Sequence, residues 1–190
     1  MGSRRKAREA VLKVFYLSES RNISIDEAFH EMAEIDRIIA SEQPAATVRQ
    51  HSEGDNHSCD ADPLRQSANA ASDPQQHSSS AANLKPFALG LDDQQAEFAQ
   101  TLAHYIVDSR EQLNELIRPV LKNWDLSRIS RIDRYIMWIA LAEMQIMHDI
   151  PIPVSINEAI ELSKKYSSEK SSSFINGVLD GVARNIGRIK

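Results

Sequence analysis

The chain has 190 residues, a formal net charge of -5, and 42% hydrophobic and 26% charged residues, values that fit one globular domain and exclude collagen-like, coiled-coil and wholly disordered chains. Its longest unbroken apolar run, Tyr135 to Ala142, falls far short of the roughly 20 residues of a spanning helix, so no membrane insertion is expected. The start carries charge without the apolar stretch of a secretion signal, and the lone cysteine, Cys59, excludes an internal disulfide; both fit a cytoplasmic protein.

Taken in order, the elements read as helix after helix, with no sustained period-two alternation and no hairpin dipeptide, so an all-α fold is expected. In the first helix Ala7, Ala10, Val11, Val14 and Leu17 recur at three- and four-residue steps and form one buried stripe. Ser24 and Glu27 have the spacing of a capping box and start a second helix that runs to about Ala40. From Glu42 to Pro86 the composition shifts to Ser, Ala, Gln, Asp, His and Pro, too poor in large apolar groups to offset its ordering entropy. The chain thus divides into N-terminal helices at 1–41, a flexible low-complexity insertion at 42–90, and a C-terminal helical bundle of the same domain at 91–190.

A long helix is predicted from Asp92 to Lys122, bent near Pro119, with Phe98, Leu102, Tyr105, Ile106, Leu113, Leu116 and Ile117 inward. Residues 130–147 are apolar nearly all round, which marks the most enclosed helix. Pro151 and Pro153 separate it from two more helices, Val154 to Tyr166 and Ser171 to Ile186. On the last, Gly177 and Gly181 lie four apart, a spacing that lets a neighbouring backbone approach.

Charge is concentrated at the two ends. Residues 1–13 carry Arg4, Arg5, Lys6, Arg8 and Lys13 against Glu9 alone, and residues 164–190 carry Lys164, Lys165, Lys170, Arg184, Arg188 and Lys190 against Glu169 and Asp180. If the first and final helices lie side by side, these ends form one basic face on an acidic body, able to attract a polyanion; the plain alternative is a pair of solvated helix termini. Opposite its buried stripe the first helix presents Arg5, Glu9, Leu12 and Tyr16, flanked by Arg8 and Lys13. Cations beside an exposed ring suit a single RNA strand, whose phosphates they neutralise while an unpaired base stacks. Tyr16 half-buried against the second helix is the competing arrangement.

Catalytic and metal patterns are sparse. Glu27 and His30 supply one Glu-x-x-His motif where a helical diiron site needs two. His51, His57, Cys59 and His77 have no zinc-like spacing and read as solvated linker residues. Neither a phosphate loop nor a nucleophile elbow is present, so no enzyme, no cofactor and no metal are expected.

Two segments resemble a known family. Arg4-Arg5-Lys6-Ala7-Arg8-Glu9 leading into Val14-Phe15-Tyr16, and Ile156-Asn157-Glu158-Ala159-Ile160-Glu161-Leu162 followed by Lys164 and Phe174-Ile175-Asn176-Gly177-Val178-Leu179-Asp180, resemble the opening and closing signatures of the NusB family of transcription antitermination factors. The resemblance covers residues 3–41 and about 92–188. It implies about seven helices in two packed helical subdomains, and a non-catalytic adaptor that binds boxA RNA of ribosomal RNA leaders with the ribosomal protein NusE in an RNA polymerase antitermination complex. It places RNA contacts at Arg4, Arg5, Lys6, Arg8 and Tyr16, with Lys164, Phe174 and Asn176 on the same face. Lys170 with Ser171 to Ser173 departs from the family, which often has an acidic residue there. The other readings carried forward are an RNA-recognition module related to ribosomal RNA methyltransferases and a helical protein-binding scaffold without RNA.

Overall fold

The computed structural model describes residues 2–41, 89–121 and 125–187. The segment read as an insertion lies outside them except for Leu89 and Gly90, as do its histidines and Cys59. Seven α-helices and no strand occur among the described residues, so the all-α expectation holds.

Helix α1 (Gly2–Arg21) buries the predicted Ala7, Ala10, Val11, Val14 and Leu17. It ends where Asn22 adopts a φ of 54°, which lets the Ile23 N–H return to the Ser18 carbonyl at 3.0 Å and closes the last turn. Helix α2 (Ile25–Ser41) starts on the predicted box: Glu27 N–H donates to the Ser24 hydroxyl at 3.1 Å and Ser24 N–H to Glu27 Oε2 at 2.8 Å. Glu27 is therefore committed to a cap, not to a metal. Among the described residues no group of three or more His, Cys, Asp or Glu is placed to hold an ion.

The single helix expected over 92–122 is two helices, α3 (Asp93–Asp108) and α4 (Arg110–Ile117), with a 3-10 turn at Arg118–Val120. Val107, Asp108 and Ser109 are weak helix formers. At Ser109, φ -109° and ψ 14°, the helix bends: its N–H still donates to the Tyr105 carbonyl while its own carbonyl accepts from Leu113. The break turns α4 so that Leu113 and Ile117 are buried and Asn114 accepts from Trp138 Nε1 at 2.9 Å.

Helix α5 (Arg131–Ile146), capped by Ser130, is buried on nearly every side and is the central element, touching α1, α3, α4, α6 and α7. Helices α6 (Ile152–Tyr166) and α7 (Glu169–Asn185) each begin two residues before the expected position; at α6 the fixed φ of Pro153 suits the first turn. Helices α1 to α3 pack as one subdomain and α5 to α7 as the other, with α1 and α3 also lying on α5. Because α1 is covered from both sides, its buried arc widens to include Leu12 at 2% exposure, which the sequence had placed on the exposed face, and Phe15. Phe15 stacks obliquely on Tyr135 at 5.7 Å and meets Trp138 edge-on at 6.5 Å, a cluster that fastens α1 to α5. The buried Asp133 accepts hydroxyl hydrogen bonds from Ser167 and Ser171, which fix the α6–α7 turn to the start of α5.

The two glycines of α7 differ. A Cβ on Gly181 would lie 2.6 Å from Val120 Cγ1, whereas one on Gly177 would meet nothing within 4 Å; only Gly181 serves a close approach. Opposite signs are expected in urea unfolding. Gly177→Ala stabilises by about 0.5–1 kcal/mol through helix propensity, and Gly181→Ala is net destabilising by about 1 kcal/mol as overpacking exceeds the same gain.

Candidate nucleic-acid interface

The N-terminal arginines do not form one uniform basic strip, because helical geometry sends them to different depths. Arg8, expected to flank the exposed face, is 4% exposed. It lies on the side of α1 that meets α5, where its Nε donates to both carboxylate oxygens of the fully buried Glu143 at 3.0 and 3.2 Å and its Nη2 donates to Oε1. Its Nη1 lies 3.4 Å from Glu158 Oε2, and its guanidinium sits 5.8 Å from the Phe98 ring centre. A buried guanidinium requires such partners on every edge.

Glu158, on α6, passes the alternation of charge outward. Its Oε2 accepts from Arg5 Nε at 2.9 Å and its Oε1 from Arg5 Nη2 at 2.7 Å, a planar two-point pair. Arg5 is held at its inner edge while its side chain stays 55% exposed. That pair, and the charge of Arg8, keep the Glu158 carboxyl below the ordinary carboxylate range against the opposing effect of burial. One turn before Arg8, Arg4 pairs with Asp149 at 2.8 Å and stacks 5.5 Å over Phe98.

Glu9 organises a second cluster. It accepts from Lys165 Nζ at 2.9 Å and from the Tyr166 hydroxyl, and pairs with Lys13 at 3.2 Å. Burial is the largest single influence on Glu9 and pulls its pKa up, yet the hydrogen bonds from Tyr166, Lys165 and Lys13 together hold it below the ordinary value. Lys164 binds Glu161 at 2.7 Å, which lowers the Glu161 carboxyl. Arg5, Glu9, Glu158, Glu161, Leu162, Lys164 and Lys165 together line an open groove of about 360 Å³ between the N-terminal half of α1 and the C-terminal half of α6.

The structure thus brings Arg5 and Lys164 together, with Lys13 joined to the groove through Glu9. Lys6 is exposed on α1, and Tyr16, also exposed at 46%, lies further along the same helix. Phe174 and Asn176 are half-buried on α7 and are not among the groove-lining residues; Phe174 packs against the core. Helix α1 packs on α2, α3 and α5, and its ion pairs reach α6, so α6 stands where the final helix was expected. Arg188 and Lys190 lie outside the described residues. Sequence reasoning put Glu9 on the exposed face but missed Glu158 and Glu161 as partners of the cations: nothing local signals that Glu158 will face Arg5, 153 positions away.

Among the described residues no helix is long and apolar enough to cross a membrane. The NusB family model matches residues 62–184; the match begins inside the segment read as an insertion and leaves α1 and α2 outside it. The transcription antitermination protein NusB of Bacillus subtilis (strain 168) is 41% identical over 97 residues, 50% of this chain and 74% of the relative. In fold, NusB of T. maritima superposes with a TM-score of 0.61 at 24% identity, covering 95% of this chain and 90% of that one. A chain from the crystal structure of a plectonemic RNA supercoil reaches 0.65 at 19% identity, with all of both chains covered. A two-subdomain helical fold with a groove of paired charges beside its first helix places the chain among small all-helical proteins of the NusB fold. The chain belongs to the NusB family.

Two consequences can be measured. Arg8→Met leaves Glu143 buried without its ion-pair partner, and is expected to cost about 3–5 kcal/mol in urea unfolding, whereas Arg8→Met with Glu143→Leu recovers much of that loss. The lowered carboxyl of Glu158 contributes stability that is complete above its unfolded value, roughly pH 4.3, and is lost as pH falls through the folded value. Glu158→Gln should therefore flatten the stability profile below about pH 4.3 in acid titrations followed by circular dichroism.

Proposed function

We propose that this chain is a non-catalytic, cytoplasmic RNA-binding adaptor of transcription antitermination, which takes a boxA-type single strand of ribosomal RNA leaders together with NusE and joins the RNA polymerase antitermination complex. The observation that carries this reading is the groove itself: Arg5 of α1 and Lys164 and Lys165 of α6, far apart in sequence, are assembled into one open channel in a chain of the NusB family. Relatives named transcription antitermination protein support the same assignment.

In this reading Arg5 presents its outer N–H groups to a phosphate while Glu158 holds its inner edge, and Lys164 and Lys165 neutralise neighbouring phosphates. Arg4 and Lys6 extend the cationic rim. Tyr16 is separated from Arg5 by eleven residues of helix, about 16 Å at 1.5 Å per residue, and offers an exposed ring to a base or to the protein partner. Arg8 contributes from beneath by keeping Glu158 in place. Phe174 and Asn176 of α7, outside the groove lining, would make further contacts to the strand.

Fluorescence titration of a boxA-like single strand tests this. Arg5→Ala should weaken binding on the order of fivefold and lower the slope of log affinity against log salt by about 0.7, and Lys164→Ala should weaken binding with a smaller change of slope. Unchanged affinity in both variants would remove the groove as the RNA site.

A further inference from the structure

The groove is formally neutral. Its cations, Arg5, Lys164 and Lys165, face the carboxylates Glu9, Glu158 and Glu161, so a polyanion is not drawn to it by net charge. What matters is what each carboxylate is left with when its cation turns to a phosphate, and the three differ.

Glu158 loses nothing. Arg5 uses its Nε and Nη2 donors on Glu158 and, with five N–H donors in all, keeps an outer edge for a phosphate without leaving its partner. Arg8 also stays beside Glu158. Glu9 retains the Tyr166 hydroxyl and Lys13 when Lys165 departs. Glu161 has no such reserve. Among the described residues its hydrogen-bonding partner is Lys164 alone, the charge of Arg5 adding a lesser attraction, and at 48% exposure on the groove wall it would face the incoming strand with that hydrogen bond unreplaced, well within a Debye length of about 8 Å.

We infer that Glu161 is a selectivity-setting residue of the RNA groove: it cancels the general attraction of Lys164 for phosphates, so that a strand is retained only when its other contacts are correct. This rests on the RNA reading above and adds a restraint on affinity to it. The carboxylate makes Lys164 nearly silent in counterion release, because each phosphate it gains is matched by a carboxylate exposed.

The test compares Glu161→Gln with Glu34→Gln, a variant of the same net charge on α2 whose carboxylate pairs with Arg37 away from the groove. Both are titrated with a boxA-like strand and with a scrambled strand of equal length across a salt series. Glu161→Gln is expected to bind the scrambled strand about threefold more tightly and to steepen the salt slope by about 0.7, while Glu34→Gln matches the parent protein. If the two variants behave alike, or if Glu161→Gln weakens binding, the inference is overturned. Arg5→Ala, run alongside, separates the ideas. Weaker binding there with no effect of Glu161→Gln leaves the RNA groove standing and removes only the restraint; unchanged binding in Arg5→Ala removes both.

Discussion

A guanidinium and a carboxylate buried together, Arg8 of α1 and Glu143 of α5, decide how the two subdomains meet and therefore where every exposed cation ends. Taking two charges out of water is costly, and the cost is offset only when geometry is tight and the remaining donors are satisfied. Here they are: Glu143 takes one edge of the guanidinium, Glu158 of α6 approaches another, and Phe98 of α3 packs beside it. One side chain thereby links α1, α3, α5 and α6. Hydrophobic packing between Phe15, Tyr135 and Trp138 supplies attraction between α1 and α5, but apolar contacts tolerate sliding and rotation more readily than a two-point ion pair does. The pair fixes the rotation of α1, and with it the outward direction of Arg5.

Much of the scaffold was legible because its signals are local. The capping box at Ser24 and Glu27, the buried stripe of Ala7, Val11 and Val14, and the all-round apolarity of α5 each follow from neighbouring residues. What was hidden depends on distant partners. Arg8 reads as a surface cation since arginine is rarely buried, and only the arrival of Glu143 from 135 positions away makes burial tolerable. Leu12 was misplaced for a related reason: a helix covered on two sides buries a wider arc than the single stripe its spacing displays. The break at Ser109 is subtler, since α3 and α4 keep one hydrogen-bonding run with only a bend where weak helix formers cluster.

The site follows the same division. Arginine and lysine at both ends of the sequence identify the components, while pairing between them and Glu9, Glu158 and Glu161 comes from the tertiary arrangement. A groove of alternating charge differs physically from the uniformly basic face that a charge count suggests. Its side chains are held in place before any ligand arrives, which reduces the entropy lost on binding, and its neutrality reduces attraction for nucleic acid in bulk. An overall charge of -5 is compatible with RNA binding on those terms, because affinity then rests on ordered contacts more than on long-range field.

The groove keeps its shape only if Arg8 is a buried, fully engaged guanidinium, and the most direct measurement of that is the nuclear magnetic resonance signal of its Nε proton in the folded protein. Engagement with Glu143 on one edge and Glu158 on another predicts a distinct Arg8 signal whose exchange with water is much slower than that of Arg4, which is 47% exposed. An Arg8 proton that exchanges as fast as that of Arg4 would contradict the arrangement on which the groove depends.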